Sequence, residues 1–214
     1  MTLMNEAFLT SLLIPLEQTS SSEIESKDEE ELNRYFSARG ISANECFHPA
    51  SVLIPIVRNL QTDAWELLLT KRASHLKHHA GEISFPGGRF EQSDQDLQTT
   101  ALRETHEEIG IQPNQIKLIG KLPRQKTISQ YQVTPFVGVV ESDYQIKLDK
   151  NEVEEAFLVP LNFVLNSSNQ QKVERKINNQ SLSYWVIKYN EYNIWGATAK
   201  MLVNFSHLVN ASLK

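Results

Sequence analysis

The chain has almost no cysteine and no long apolar run. Its 214 residues include one cysteine, Cys46, which excludes an intramolecular disulfide framework and a zinc finger built on cysteine pairs. The most apolar early stretch, residues 8–16, contains Pro15 and lacks a basic lead-in, so it predicts neither a signal peptide nor a membrane anchor. From these absences we expect a protein of the reducing cytoplasm that has no membrane partner.

Charge is low overall but unevenly distributed. The formal net charge is −5, although residues 1–46 alone hold nine acidic and three basic residues and residues 81–111 hold seven and two. The rest of the chain therefore carries a net charge of +6, which suits an anionic small-molecule ligand. A long basic stripe with interleaved aromatic residues is lacking, so we expect no nucleic-acid partner.

Residues 1–46 are predicted to be an acidic N-terminal extension of a domain at 47–214. Ser22 and Glu25 have the spacing of a capping box, and the acidic stretch 23–38 predicts a helix that Gly40 ends. The apolar positions of this stretch form only a weak stripe. The sequence leaves open whether the extension packs against the domain as a helix or forms a mobile arm.

From residue 50 onward, short apolar and β-branched segments alternate irregularly with segments of helical period. Pro86-Gly87-Gly88 predicts a turn after the third strand. Because the order lacks regular βαβ alternation, the sequence predicts an α+β fold with a mixed sheet flanked by helices. Strands are predicted at 51–58, 65–72, 81–85, 116–120, 131–140, 152–159 and 181–189, and helices at 96–109, 161–166 and 197–209.

Three carboxylates share one face of the helix predicted at 96–109. Glu104, Glu107 and Glu108 are spaced i, i+3 and i+4, and like charges so placed repel by a few tenths of a kcal/mol per pair, roughly what a favourable pair gains. A divalent cation such as Mg²⁺ or Mn²⁺ would reverse that repulsion. A solvated acidic face is the alternative, but it leaves the glycine turn upstream unexplained. Glycines allow close approach of a ligand, so the combination favours a metal-bound phosphate site.

The residues around this helix resemble the signature of the Nudix hydrolase family. The family pattern is matched by Gly88, Asp94, Arg103, Glu104, Glu107, Glu108, Gly110 and Ile111. Three departures are visible: Asp94 replaces the usual Glu, the spacer before Arg103 has eight residues, and Thr105 fills an apolar position. The resemblance implies a Nudix-type α/β/α sandwich with a mixed β-sheet.

Segments outside that signature resemble the coenzyme A pyrophosphatase branch of the family. They include LLTKRA at 68–73, HAGEISFPGG at 79–88 and YQVTPFVG at 131–138, and the resemblance spans about 50–212. It implies hydrolysis of the diphosphate of coenzyme A or acyl-CoA, with Mg²⁺ or Mn²⁺ as cofactor. The products would be 3′,5′-ADP and 4′-phosphopantetheine or its acyl form.

The resemblance also assigns roles to the acidic helix. It implies that Glu104 and Glu108 are the principal metal ligands and that Glu107 is either a third ligand or the base that deprotonates water. Arg103 is expected to orient Glu107 or a neighbouring acid by a charge-assisted hydrogen bond, with direct phosphate contact as the alternative.

Substrate binding is expected around the same turn. Gly87 and Gly88 would let the backbone approach the diphosphate, and Arg72, His79 and Arg89 are the nearest candidates to contact phosphates. The alternative for Arg72 and for the histidines at 75, 78 and 79 is exposure in solvent. The spacing of these histidines argues against a zinc site.

Two aromatic residues and three broader questions remain open at this stage. Trp195 and Tyr131 either stack on adenine or, as is more usual for aromatic residues in apolar segments, belong to the core. The substrate could instead be ADP-ribose or another nucleoside diphosphate derivative. The chain could also be a Nudix-fold binding module without activity, although such modules typically lose carboxylates from the signature. A homodimer is left open.

Overall fold

The structure is a computed structural model that describes residues 23–37, 39–40, 47–177 and 180–212. The helices are α1 (Glu23–Ser37), α2 (Leu97–Ile109), α3 (Leu161–Leu165) and α4 (Gly196–Ser212). The strands are β1 (His48–Arg58), β2 (Trp65–Arg72), β3 (Ile83–Ser84), β4 (Gly87–Arg89), β5 (Ile116–Lys121), β6 (Gln125–Lys126), β7 (Tyr131–Val140), β8 (Val153–Pro160), β9 (Gln170–Ile177), β10 (Gln180–Tyr189) and β11 (Tyr192–Trp195).

The main sheet is mixed. Its central order is β3-β2-β1-β7-β5, with β4 also paired to β1, β6 to β7 and β8 to β2. Strands β1 and β7 run parallel over nine residue pairs, whereas the other pairings are antiparallel. The predicted α+β class with a mixed sheet is therefore confirmed.

Helices cover both faces of this sheet because successive strand side chains point to opposite faces. On β1, Leu53 and Val57 pack in a buried cluster with Ile109 of α2. The intervening Ile54 packs in a second cluster that contains Phe205 of α4. The expected sandwich of helix, sheet and helix follows from this alternation.

Most predicted elements agree with the structure to within a few residues, but the region around the glycine turn differs. The strand predicted at 81–85 is reduced to Ile83–Ser84. Where the sequence predicted only a turn, Gly87–Arg89 forms β4 and pairs with 50–52 of β1. The glycines are therefore hydrogen-bonded into the sheet edge, which holds them in a defined position.

A second sheet, of order β11-β10-β9, was predicted only at β10. Strand β9 has the sequence QQKVERKI, and its side chains at 171–176 are exposed or half-buried. A strand with so little burial carries no apolar alternation from which it could be recognised.

Helix α1 packs against this second sheet. Tyr35 and Phe36 are buried and cluster with Leu182 of β10, and the Ser183 hydroxyl donates to Glu31 Oε2 at 2.5 Å. Within the described residues, these contacts join the C-terminal half of α1 to β10. Ser22, one half of the predicted capping box, and Cys46 lie outside the described residues. Within those residues, every helix is too short or too polar to span a bilayer.

Candidate active site

Helix α2 has well-formed ends. Asp96 caps its N-terminus by accepting a hydrogen bond from the Thr99 backbone N–H at 2.7 Å. Gly110 ends it in the left-handed conformation, with φ +78°, and its N–H donates to the carbonyl of His106 at 2.9 Å. Burial of Ala101 against β1 orients the helix so that its acidic face meets β4.

The glycine turn fits closely around one carboxylate of this face. A Cβ atom on Gly88 would lie 2.4 Å from the carboxylate carbon of Glu104, and one on Gly87 would lie 2.4 Å from the carbonyl oxygen of Ser51. Neither position can therefore hold a larger residue without displacement. Glycine at 88 creates the space in which the Glu104 carboxylate lies.

Arg103 is the centre of the hydrogen-bond network in the site. Its Nε and Nη2 donate to the two carboxylate oxygens of Asp94 at 2.9 and 3.0 Å. Its Nη1 donates to Glu104 at 3.0 Å and to Glu107 at 2.8 Å, and Nη2 also reaches the carbonyl of Arg89 at 3.2 Å. The guanidinium thus orients neighbouring acids, which is the first of the two roles considered for it.

Asp94, which replaces the usual Glu of the family pattern, is held by several hydrogen bonds. Its buried carboxylate accepts from the Thr100 hydroxyl at 2.9 Å and from the Glu91 N–H at 3.0 Å, besides Arg103. The hydrogen bonds from Arg103 hold the pKa of Asp94 well below its usual range. The Asp94 N–H also donates to the Glu91 carbonyl at 3.0 Å, which closes a tight turn directly before the Asp94 side chain.

Thr105, the third departure, is fully buried in the apolar position. Its hydroxyl donates to the carbonyl of Ala101, one turn earlier, at 2.7 Å. Because that hydrogen bond satisfies the hydroxyl within the helix, threonine can occupy this position without an unpaired polar group.

Glu108 and Glu104 are carboxylates in an environment that disfavours their charge. Glu108 is 2% exposed, and burial raises its pKa to about 8, with Arg72 opposing the increase and Glu104 adding to it. Burial also raises the pKa of Glu104, although Arg103 acts in the opposite direction. Within the described part of the chain, Glu108 Oε2 is buried and accepts no hydrogen bond.

These observations fit a divalent cation. A buried carboxylate oxygen without a donor is costly, and a cation next to Glu104 and Glu108 would satisfy it. Across the described ranges, no three Asp, Glu, His or Cys side chains converge to hold a metal by themselves. Mg²⁺ commonly binds through one or two carboxylates while keeping several waters, so two converging glutamates are compatible with such a site.

Arg72, at the end of β2, lies close to the carboxylates of α2. Its Nη1 lies 4.0 Å from Glu108 Oε1, and its buried Nε has no hydrogen-bond partner among the described residues. Arg72 is the last residue of its strand, and its side chain is 28% exposed, so only part of it lies in solvent.

The other two side chains predicted to contact phosphates, those of His79 and Arg89, are more exposed than Arg72. His79 is half-exposed and its Nδ1 lies 2.9 Å from Glu82 Oε2, and His75 and His78 are exposed, as the loop alternative predicted. Arg89 is exposed, with its guanidinium 5.1 Å from the ring centroid of Tyr131.

The two aromatic candidates differ in environment. Tyr131 is partly buried against the core, as the core alternative predicted. Trp195 is 42% exposed, so the core alternative is wrong for it. Its strand, β11, is short and lies at the edge of the second sheet.

Glu152 was not recognised as a site residue from the sequence. Its charge contributes to raising the pKa of both Glu104 and Glu108, which places it near them. Its carbonyl accepts from the Ala73 N–H at 2.8 Å, directly after Arg72. The sequence placed Glu152 at the start of the strand predicted at 152–159. The pairing of β8 with β2 brings the start of that strand next to Arg72.

Comparisons with known proteins identify the family of this chain. A family model described as the NUDIX domain matches residues 47–179. Proteins named as uncharacterized Nudix hydrolase NudL, from Enterobacter sp. (strain 638) and Escherichia coli O1:K1 / APEC, are 39% and 38% identical over 153 residues, 72% of this chain and 78% of theirs. A crystal structure of a MutT/nudix family protein from Enterococcus faecalis aligns with a TM-score of 0.50 at 13% identity, covering 90% of this chain and 76% of that one.

The chain therefore belongs to the Nudix family, and its fold is the Nudix fold. Membership supports pyrophosphohydrolase chemistry that depends on a divalent metal ion.

Proposed function

We propose that the protein hydrolyses the diphosphate of coenzyme A or acyl-CoA in a reaction that requires Mg²⁺ or Mn²⁺. The observation that carries the proposal is the position of Arg72, 4.0 Å from Glu108. Arg72 belongs to the segment that resembles the coenzyme A pyrophosphatase branch, whereas Glu108 belongs to the general Nudix signature. Their contact joins the substrate-specific segment to the catalytic carboxylates.

In this proposal Glu104 and Glu108 would hold the metal ion. When bound, the ion supplies charge neutralisation on the diphosphate and lowers the pKa of the attacking water. The water oxygen forms a bond to one phosphorus as the bridging P–O bond breaks, so no covalent intermediate with the protein is needed.

Glu107 accepts the proton of that water or acts as a third ligand. Its side chain is 56% exposed and is held by Arg103 at 2.8 Å, and Arg103 is in turn fixed by Asp94. Arg103 is therefore a positioning residue that aims Glu107 at the reacting atoms. Arg72 and Arg89 supply positive charge for the phosphates of the substrate, including its 3′-phosphate, with His79 at the edge of the site.

The test is a comparison of initial rates on coenzyme A, acetyl-CoA, ADP-ribose and a nucleoside triphosphate, each with Mg²⁺ or Mn²⁺. We expect the coenzyme A compounds to give the highest kcat/KM, with 3′,5′-ADP and 4′-phosphopantetheine as products. Negligible cleavage of coenzyme A beside fast turnover of ADP-ribose would reject the proposed substrate. Binding without turnover of any of them would indicate a binding module instead.

A further inference from the structure

A cavity of ≈ 380 Å³ lies away from the acidic face of α2. Its walls come from the chain between β6 and β7, from β10, and from the junction of β11 with α4. Glu31 and Leu32 of α1 close one side. The carboxylates of α2 do not line it, but His79, at the edge of the proposed catalytic site, does.

The cavity has a mainly apolar wall that remains partly open to solvent. Trp195 and Ile128 line it and are 42% and 48% exposed, although both are large apolar side chains that are usually covered. The rings of Tyr184 and Trp195 meet at 72° with centroids 6.0 Å apart. They form a corner rather than the pair of parallel faces that would enclose a planar base.

One polar group stands out in this wall. Gln125 is 6% exposed, and its Nε2 donates to the carbonyl of Ala197 at 3.2 Å. Its Oε1 is buried and accepts no hydrogen bond from any residue that the structure describes. A buried amide oxygen without a donor is unfavourable, and because Gln125 is one of the residues that line the cavity, an N–H group of a largely apolar ligand would satisfy it once the side chain turns toward the ligand.

The cavity is connected to the catalytic turn by two short routes. Arg89, directly after Gly88, lies over the ring of Tyr131, and the Tyr131 N–H donates to the hydroxyl of Thr127 in the cavity wall at 3.1 Å. On the other side, the carbonyl of the lining residue Glu82 accepts from the N–H of Arg72 at 3.0 Å. The cavity wall is therefore joined by direct contacts to Arg72 and to Arg89, the two arginines that flank the proposed position of the diphosphate.

We propose that this cavity binds the amide-bearing pantetheine arm of the substrate. An amide N–H of the arm donates to Gln125 Oε1, and the methyl groups and carbon chain of the arm pack on Trp195. This proposal rests on the proposed function, because it takes coenzyme A as the substrate. It adds a specificity site that the Nudix signature does not contain. The aminopurine base is the competing occupant, since it also carries an N–H donor, but the perpendicular rings favour a branched, flexible arm.

The first experiment measures binding of pantetheine, which has no phosphate and therefore does not need the catalytic site. The three tryptophan indole N–H signals are followed by NMR, with Trp195→Phe used to assign one of them. We expect pantetheine to shift the Trp195 signal and to bind at least tenfold more weakly to Trp195→Ala and to Gln125→Leu. Because Gln125 is buried, the melting temperature of Gln125→Leu is measured in parallel, and the exposed Trp195→Ala carries the test if Gln125→Leu fails to fold.

The second experiment compares kcat/KM for coenzyme A with that for the methyl ester of 3′-phosphoadenosine 5′-diphosphate, which lacks the arm. We expect Trp195→Ala to reduce the value for coenzyme A at least tenfold more than the value for the methyl ester. Leu60→Ala is the matched control, because Leu60 is also an exposed large apolar residue, at 70%, and lies in the turn between β1 and β2, outside the cavity lining.

The outcomes separate the two proposals. Pantetheine that binds equally well to the wild-type protein and to Trp195→Ala would overturn the arm site, as would a Trp195→Ala variant that weakens binding of 3′,5′-ADP instead. If the wild-type protein binds pantetheine through Trp195 but does not cleave coenzyme A, the arm site stands and the proposed activity fails. An equal loss of kcat/KM in Trp195→Ala for coenzyme A and for the methyl ester would also overturn the arm site.

Discussion

Gly88 and Glu104 are in such close contact that a single added carbon at 88 would lie 2.4 Å from the Glu104 carboxylate carbon. The contact joins the sheet edge at β4 to the acidic face of α2. It shows why a glycine is needed where the chain enters the site. The position of the Glu104 carboxylate depends on the absence of a side chain opposite it.

Gly88→Ala should therefore reduce activity more than stability. The added methyl group displaces Glu104, and a displacement of about 1 Å in a catalytic group can lower kcat/KM roughly 100-fold. Steady-state kinetics and circular dichroism would measure the two effects. Gly81→Ala is the control, since a Cβ there meets nothing within 4 Å although φ is +71°. Equal activity loss in both variants would contradict the contact argument.

Glu104→Gln should remove the stabilisation that a divalent ion gives to the protein. At a free Mn²⁺ concentration 100 times the dissociation constant, binding stabilises the wild-type fold by about 2.7 kcal/mol and raises its melting temperature by roughly 5 to 10 °C. Differential scanning fluorimetry with and without Mn²⁺, followed by EDTA, would measure this shift. The exposed Glu141→Gln should keep the full shift, and a Glu104→Gln variant that also keeps it would contradict the assigned ligand.

Asp94→Asn should destabilise the protein by about 2 kcal/mol at pH 7, because a charge-assisted pair with Arg103 is lost. The pKa of Asp94 is lowered in the folded state, so its contribution is fully present above the unfolded value of about 3.9 and is lost as the pH falls below it. Urea unfolding of the wild-type protein and of Asp94→Asn between pH 7 and pH 3 would measure the difference in their free energies of unfolding. We expect this difference to shrink only at the acidic end of the range. A difference independent of pH would reject this account.

Arg72→Gln should raise KM for coenzyme A and lower kcat/KM roughly ten- to hundredfold, since a hydrogen bond from a charged donor to phosphate contributes about 1.5 to 3 kcal/mol. Lys71→Gln is a matched control, because Lys71 is the adjacent cation but pairs with Glu154 at 2.7 Å. Equal effects from the two substitutions would indicate general attraction by positive charge rather than a specific contact.

The predicted elements that agree with the structure are those with a local signal. Helix α2 had a run of helical character followed by a glycine, and Gly110 ends it as predicted. Asp96, which was predicted as the first helical residue, is its N-cap in the structure. Strand β9 had no such signal, because few of its side chains are buried. The strand is stabilised by its backbone pairing with β10. Its presence depends on contacts between distant parts of the chain, which a local pattern does not record.

The candidate site shows the same division. The spacing of Glu104 and Glu108 placed both on one helix face, since helical geometry fixes that relationship. The proximity of Arg72 and Glu152 to that face depends on the pairing of β2 with β8. The unpaired oxygen of Gln125 depends on packing around α4, so only the three-dimensional structure could identify the cavity.

The most direct test of the account is cleavage of coenzyme A with Mn²⁺ by the wild-type protein and by Glu108→Gln, measured by chromatographic separation of the products. We predict that the wild-type protein releases 3′,5′-ADP and 4′-phosphopantetheine, and that Glu108→Gln is at least about 100-fold slower because it loses a ligand of the metal that stabilises developing charge. A wild-type protein that leaves coenzyme A intact, or a Glu108→Gln variant that cleaves it at the wild-type rate, would contradict the account.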